Sequence, residues 1–212
     1  MLRTLLCVVI PFSLLPQSFA AEDSFTPLFD AKTFDGWEGD LKIFRIEDGA
    51  IVGGSLKERI KHNHFLCTEK TYGDFELRLK AKLVGDGDNA GIQFRSARIP
   101  NHHEVIGYQC DMGHKGRIWG ALYDESRRRK FLVKPDFEKL KPVLKLDDWN
   151  DLVIRCEGAH VQIWVNGVQT VDYKEPDDTI ARSGIIGLQI HGGKPAEASY
   201  KDIWIKELSG SR

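Results

Sequence analysis

Long hydrophobic runs, cysteine pairs at metal spacing, helical periodicity and any excess of charge are all scarce in this chain. Its 212 residues carry 30 Lys and Arg against 31 Asp and Glu, a formal net charge of −1. That balance leaves no overall field to draw the protein to nucleic acid or an anionic membrane. The one basic run, Arg127-Arg128-Arg129-Lys130, reads as a solvated loop or strand edge. None of the 4 cysteines stands in a C-x-x-C pair, which removes the usual zinc spacing. The single long apolar stretch, Leu5 to Leu15, lies behind Arg3 and ahead of Ser18-Phe19-Ala20. It reads as a secretory signal peptide over residues 1–20, too short and wrongly flanked for a transmembrane helix. No cysteine marks the cleavage point, so no lipid anchor is expected there, and the protein is placed as secreted or periplasmic. Residues 21–212 are expected to form a single domain with a substantial core. Cys67, Cys110 and Cys156 remain, either as one disulfide plus a thiol or as buried thiols. No internal repeat or low-complexity linker is present.

What the chain has instead is alternation. Asp151–Glu157, His160–Val165 and Val168–Tyr173 alternate apolar and polar residues and are separated by Gly158-Ala159 and Asn166-Gly167. Asn-Gly accepts positive φ at both central positions of a type I′ turn, so a three-stranded meander is predicted. Phe75–Val84 alternates Phe75, Leu77, Leu79, Ala81 and Leu83 with charged residues. Further strands are read at Phe44–Ile46, Ala50–Val52, Gly91–Arg95, Val105–Met112, Ile118–Tyr123, Ile185–His191 and Tyr200–Leu208. Only Pro135–Leu146 has helical character, limited by its prolines to a short turn. The fold class is therefore all-β, a sandwich or barrel. The segment around Phe25–Phe29 is expected beside the C-terminal strand, and Trp37, Trp149 and Trp164 are expected to pack.

Some strands replace the charges of an ordinary wet face with selected polar groups. Gln93 and Arg95 alternate with Ile92 and Phe94; Gln109 and Asp111 alternate with Tyr108, Cys110 and Met112; Gln189 and His191 alternate with Leu188 and Ile190. Trp119, Ala121 and Tyr123 would share a fourth face. Residues two apart on a strand point the same way. If the four strands share a sheet, Gln93, Arg95, Gln109, Asp111, Trp119, Tyr123, Gln189 and His191 converge. Amides, an acid, a guanidinium, an imidazole and aromatic rings suit a sugar: planar groups for hydroxyls, rings for its apolar face.

The ordered set "FTPLFDAKTFDGW", "IEDGAIVG", "YGDFELRLKAKL", "NAGIQFRS", "GYQCDMG", "WGALYDE", "DDWNDLVIRCEGAHVQIWVNG" and "SGIIGLQIHGG" resembles the 3-keto-disaccharide hydrolase domain family. The likeness runs from about Phe25 to Leu208. It implies a concanavalin A-like jelly roll of two antiparallel sheets, frequent in secreted bacterial proteins, and an activity in carbohydrate metabolism. Relatives cleave glycosides whose sugar bears a C3 ketone. That ketone acidifies the C2 hydrogen, so a base can remove it and expel the anomeric substituent, after which water adds. The chemistry needs a base near C2, an electrophile at the ketone oxygen and a proton donor to the leaving oxygen.

Carried onto these positions, Asp111 is the base or a metal ligand, Arg95 faces the enolate oxygen and His191 transfers a proton. Gln93, Gln109 and Gln189 would hold hydroxyls, and Trp119 or Tyr123 would stack. Many relatives carry an acid two residues before the motif's Gln; here that position is Gly107, and the nearest preceding acid is Glu104. Glu125 and Arg127 to Arg129 would rim the cleft. The expected partner is a 3-keto-glycoside, supplied by a sugar 3-dehydrogenase. No cofactor is identified: a divalent metal has thin support from His102-His103-Glu104 and Asp86-Gly87-Asp88-Asn89, both read as plain loops, so no metal ligand is assigned. His62 and His64 read as surface residues. The alternative function is a non-catalytic carbohydrate-binding module on the same jelly roll.

Overall fold

The computed structural model describes residues 24–208, and strands dominate them. In chain order these are β1 (Thr26–Pro27), β2 (Trp37–Glu38), β3 (Phe44–Glu47), β4 (Ala50–Ser55), β5 (His64–Thr68), β6 (Phe75–Gly85), β7 (Asn89–Arg98) and β8 (Val105–Gly113). There follow β9 (Ala121–Glu125), β10 (Lys130–Val133), the one-turn helix α1 (Phe137–Leu140), β11 (Asn150–Glu157), β12 (His160–Val165), β13 (Val168–Lys174), β14 (Ile185–Ile190) and β15 (Ala196–Glu207). The signal segment lies outside the described residues. No helix among those described is long and apolar enough to cross a membrane.

The strands form two antiparallel sheets, as the jelly-roll reading requires. One runs β13-β12-β11-β6-β15-β4-β3, with β1 pairing β15; the other runs β10-β9-β8-β7-β14-β5-β2. Thr26 and Pro27 pair with Ile205 and Trp204, which places the first strand beside the last. The alternation of β6 is realised as read, with Phe75, Leu77, Leu79, Ala81 and Leu83 buried between the sheets. In β15 the register shifts between Lys201 and Trp204, with Asp202 at φ 50°, so Tyr200 and Ile203 both face inward. The meander forms as β11-β12-β13, turned at Asn166 (φ 48°) and Gly167 (φ 81°). Asn166 also ties the turn to its surroundings, donating to Val143 O and to Asn150 Oδ1.

The core is filled by Phe44, Phe75, Phe94, Leu77, Ile92 and Met112, all nearly inaccessible. Tyr200 crosses from the first sheet to the second, donating toward Gln189 O (2.6 Å) and Gly91 O (3.2 Å). Cys67, Cys110 and Cys156 are free and buried. Trp37 packs in the core and donates through Nε1 to Leu28 O. Trp149 and Trp164 are only half-buried, on the outer face of the first sheet. Lys82 and Lys201 hold their ammoniums 4.9 and 4.2 Å from the Trp149 ring centre.

The basic run is not a free surface. Arg128 and Arg127 bond to Asp124, which is fully buried, and Arg128 also donates to Glu175. Tyr108 donates its hydroxyl to the same Glu175 at 2.5 Å. These bonds hold the Glu175 carboxyl down at about 2 against the opposing effect of burial. Arg128 therefore ties the end of β9 to Glu175, next after β13, while Arg127, bonded to buried Asp124 and 4.7 Å from the Tyr108 ring centre, lies on the core side of the sheet and does not rim the cleft.

Candidate functional site

The outer face of the second sheet carries the polar row. Cross-strand pairing sets Tyr123 beside Gln109 and Gln109 beside Gln93, and in the next row Ala121, Asp111, Gly91 and Gln189. Loops cover this face: Gln93, Gln109, Asp111 and Gln189 are all at most 3% exposed. A directed chain of hydrogen bonds runs through it. Ser96 Oγ donates to Gln93 Oε1 (2.9 Å), Gln93 Nε2 to Gln109 Oε1 (2.5 Å), and Gln109 Nε2 to Asp111 Oδ1. Gly91 leaves room for it: a Cβ there would stand 2.8 Å from the Gln109 side chain.

Asp111 ends the chain as a carboxyl in a nearly dry setting. Burial pushes its pKa up to about 7; the Gln109 bond opposes the shift and nearby Glu125 adds to it. Glu125 lies two residues beyond Tyr123 on the same face, directly across from Gly107. Its own pKa is raised by burial and by Glu104, against the Ser126 bonds and His191. Gly107 has no space for a side chain, since a Cβ would meet Ser96 Oγ at 2.3 Å. Glu125, on the neighbouring strand, is therefore an acid close enough to act on Asp111, besides the Glu104 named from sequence.

Asn63 binds three covering loops together. Its Nδ2 donates to Glu104 Oε1 (3.0 Å), and its Oδ1 accepts from Gly192 N (2.9 Å). His62 stacks on His64 (4.5 Å) and packs against His103 (4.4 Å), so neither His62 nor His64 is the plain surface residue expected. Burial, first, and then the neighbouring imidazoles push the His64 pKa down. His191 is exposed beside Gly192, with Nδ1 2.6 Å from Gly192 O. Among the described side chains, the Gln189 amide has neither its Nε2 nor its Oε1 partnered, although both atoms are buried. Such groups are rare in folded proteins and call for a partner.

Two expected members are elsewhere. Between Phe94 and Ala97 the pairing with β8 slips, and Arg95 adopts φ 45°. This bulge turns Arg95 away from the amide row: its guanidinium donates to Asp74 (2.7 Å), Gly73 O and Gly158 O, and Ser96 takes its place beside Gln93. Trp119 lies in the turn before β9, 2% exposed and packed into the core off the amide row, because the strand begins only after Gly120 (φ 73°), and its edge lines a cavity of about 500 Å³ at one end of the sandwich. Tyr123 does reach the outer face, edge-on to Phe131 at 5.0 Å. Sequence reading missed Ser96, Asn63 and Phe131. Only Ser96 left a signal, as the small polar residue after Arg95. Among the described residues no group of three or more His, Cys, Asp or Glu is arranged to hold a metal ion.

Residues 24–206 match the family model of the 3-keto-alpha-glucoside-1,2-lyase-like domain. The chain belongs to that family. No curated protein sequence matches this lyase-like domain. Among solved structures it is similar to a provisionally assigned glycosyl hydrolase from Parabacteroides distasonis (TM-score 0.66, 20% identity, 87% of this chain and 94% of that one). It is also similar to the carbohydrate-binding module CBM66 from Bacillus subtilis (TM-score 0.61, 14% identity, 81% and 96% covered). A third likeness is to an endo-beta-1,3-glucanase from Pyrococcus furiosus (TM-score 0.55, 16% identity, 81% and 80% covered). At these identities the likenesses establish that the lyase-like domain shares their fold.

Proposed function

We propose that this protein cleaves 3-keto-glycosides by elimination followed by hydration, outside the cytoplasm, on sugars oxidised by a separate dehydrogenase. One observation carries the reading: Asp111, a carboxyl held near neutral pKa, ends an otherwise uncharged amide row beside an unpartnered, buried Gln189. A base that removes a proton from carbon is best matched to neutral solution when its pKa lies near 7. In the first step Asp111 takes the C2 proton. The C2–H electrons form the C1=C2 bond, and the C1–O bond breaks with its electrons on the leaving oxygen, which His191 protonates. Water then adds hydroxide at C1 and a proton at C2, giving net hydrolysis. With Arg95 turned away, the free N–H groups of Gln189 take the role of donor to the ketone oxygen. Gln93 and Gln109 fix Asp111 and meet hydroxyls, Tyr123 offers a ring face, and Glu125 and Glu104 keep the Asp111 site proton-hungry.

The test is release of aglycone from a 3-keto-glucoside by the wild type and by Asp111→Asn. Turnover should fall about a hundredfold or more in the variant, the scale of general-base catalysis. The second reading, a carbohydrate-binding module, draws on the fold shared with CBM66. It predicts sugar binding without release in both proteins.

A further inference from the structure

The polar face does not stop at the Asp111 row. Ile190 pairs with Ala90, so Asn89 and His191 are the next neighbours on the face of Gly91 and Gln189. Two residues along a strand is about 7 Å, the reach of roughly one hexose. Asn89 Oδ1 is buried there without a partner, as both polar atoms of Gln189 are one row earlier. Beyond Asn89 and His191 lies a cavity of about 230 Å³, lined by the Asp86–Asn89 and His191–Lys194 segments. A larger one of about 500 Å³ shares Asp86, Asp88 and Lys194 with it and continues to Lys115, Leu146 and Asp147. A line of unpaired amides therefore leads from Asp111 into a wide cleft at one end of the sandwich.

We infer that this cleft is a subsite for the leaving half of the substrate, and that the protein acts on oligosaccharides longer than two sugars. The inference rests on the 3-keto-glycoside reading for its chemistry. The cleft suits a neutral glycan. Its wall carries acids (Asp86, Asp88, Asp147) and amines (Lys115, Lys194) in near balance, which bond hydroxyls without selecting a charged ligand. Leu146, 53% exposed, supplies an apolar patch for a sugar face, a surface that water alone covers poorly. The Asp86–Gly87 turn is held by Pro195 O, which accepts from both backbone amides (2.9 and 3.0 Å), so the wall is preformed.

The experiment compares kcat/KM on the 3-keto forms of methyl α-glucoside, an α-linked glucose disaccharide and the corresponding trisaccharide. Remote binding energy should raise kcat/KM about tenfold from the methyl glycoside to the trisaccharide, and the double variant Leu146→Ala/Asp147→Ala should erase most of that ratio. Equal kcat/KM on all three, or a variant that lowers all three alike, overturns the subsite. Calorimetric titration with the three unmodified sugars is run alongside. If no 3-keto sugar is turned over, the proposed function fails, and the titration decides the subsite alone. Trisaccharide binding that the double variant weakens about tenfold supports it; absent or unaltered binding overturns it.

Discussion

Replacing Asp111 by Asn should make the protein more stable, increasingly so as pH rises above about 4. The wild-type carboxyl titrates near 3.8 when unfolded and at about 7 in the fold, raised mainly by burial. A raised native pKa means that the folded state holds its proton longer. Stability is therefore fully present below about pH 4 and is lost progressively as pH rises through about 7. At 1.36 kcal/mol per unit, a shift of roughly three units sets a ceiling of about 4 kcal/mol on that loss by pH 8. Asn keeps the shape and can still accept from Gln109 Nε2, but it has no charge to desolvate. Urea denaturation of both proteins at about pH 3.5, 6 and 8 reads the effect. The variant should match wild type at the lowest pH and exceed it by about 2–4 kcal/mol at the highest. A stability difference that stays flat across the three pH values would refute the claim that Asp111 is a buried carboxyl with a raised pKa.

Other consequences can be measured with the same material. kcat/KM on a 3-keto-glycoside should climb with pH towards about 7 as the Asp111 base ionises, and fall again where His191 has lost the proton it gives the leaving oxygen; a profile with no rising limb below about pH 7 excludes the Asp111 role. Arg95→Ala removes a guanidinium bonded to Asp74 and two carbonyls, so it should cost about 3 kcal/mol in denaturant while sparing turnover by the folded fraction. Lost turnover in a variant that remains folded would return Arg95 to the site. Tyr200→Phe strips the hydroxyl from Gly91 O and Gln189 O beneath the amide row and should cost about 1–2 kcal/mol in thermal unfolding. Unchanged stability would show that the crossing bond contributes nothing.

The fold was legible because alternation of period two holds over most strands. In β6 and β11–β12 the residues read as inward are the ones buried, and the Asn166-Gly167 turn sits where its positive φ values demand. Gln93, Gln109, Asp111 and Gln189 were legible for the same reason, since no irregularity falls between them and their buried neighbours. Arg95 and Trp119 were misplaced where the period breaks. A bulge inserts one extra residue opposite Gly107 and hands the outer face from Arg95 to Ser96. A left-handed Gly120 delays the start of β9 and takes Trp119 off the amide face, into the core beside the end cavity. Each break has a glycine beside it, Gly107 opposite the bulge and Gly120 itself, but a single glycine within an alternating run does not say which neighbour changes face. The loop groups are a different case. Asn63, Glu104 and Gly192 meet only because three distant loops fold over one sheet face, which no spacing in the chain encodes.

The central claim is that Asp111 removes the C2 proton, and isotope uptake tests it most directly. A 3-keto-glycoside is cleaved in D2O and the released sugar is read by proton NMR at early times, before unassisted exchange. Elimination and hydration predict one deuterium at C2 for each aglycone released by wild type, and neither release nor deuterium above background with Asp111→Asn. Aglycone released with the C2 proton intact would mean direct hydrolysis at C1, and would contradict the account.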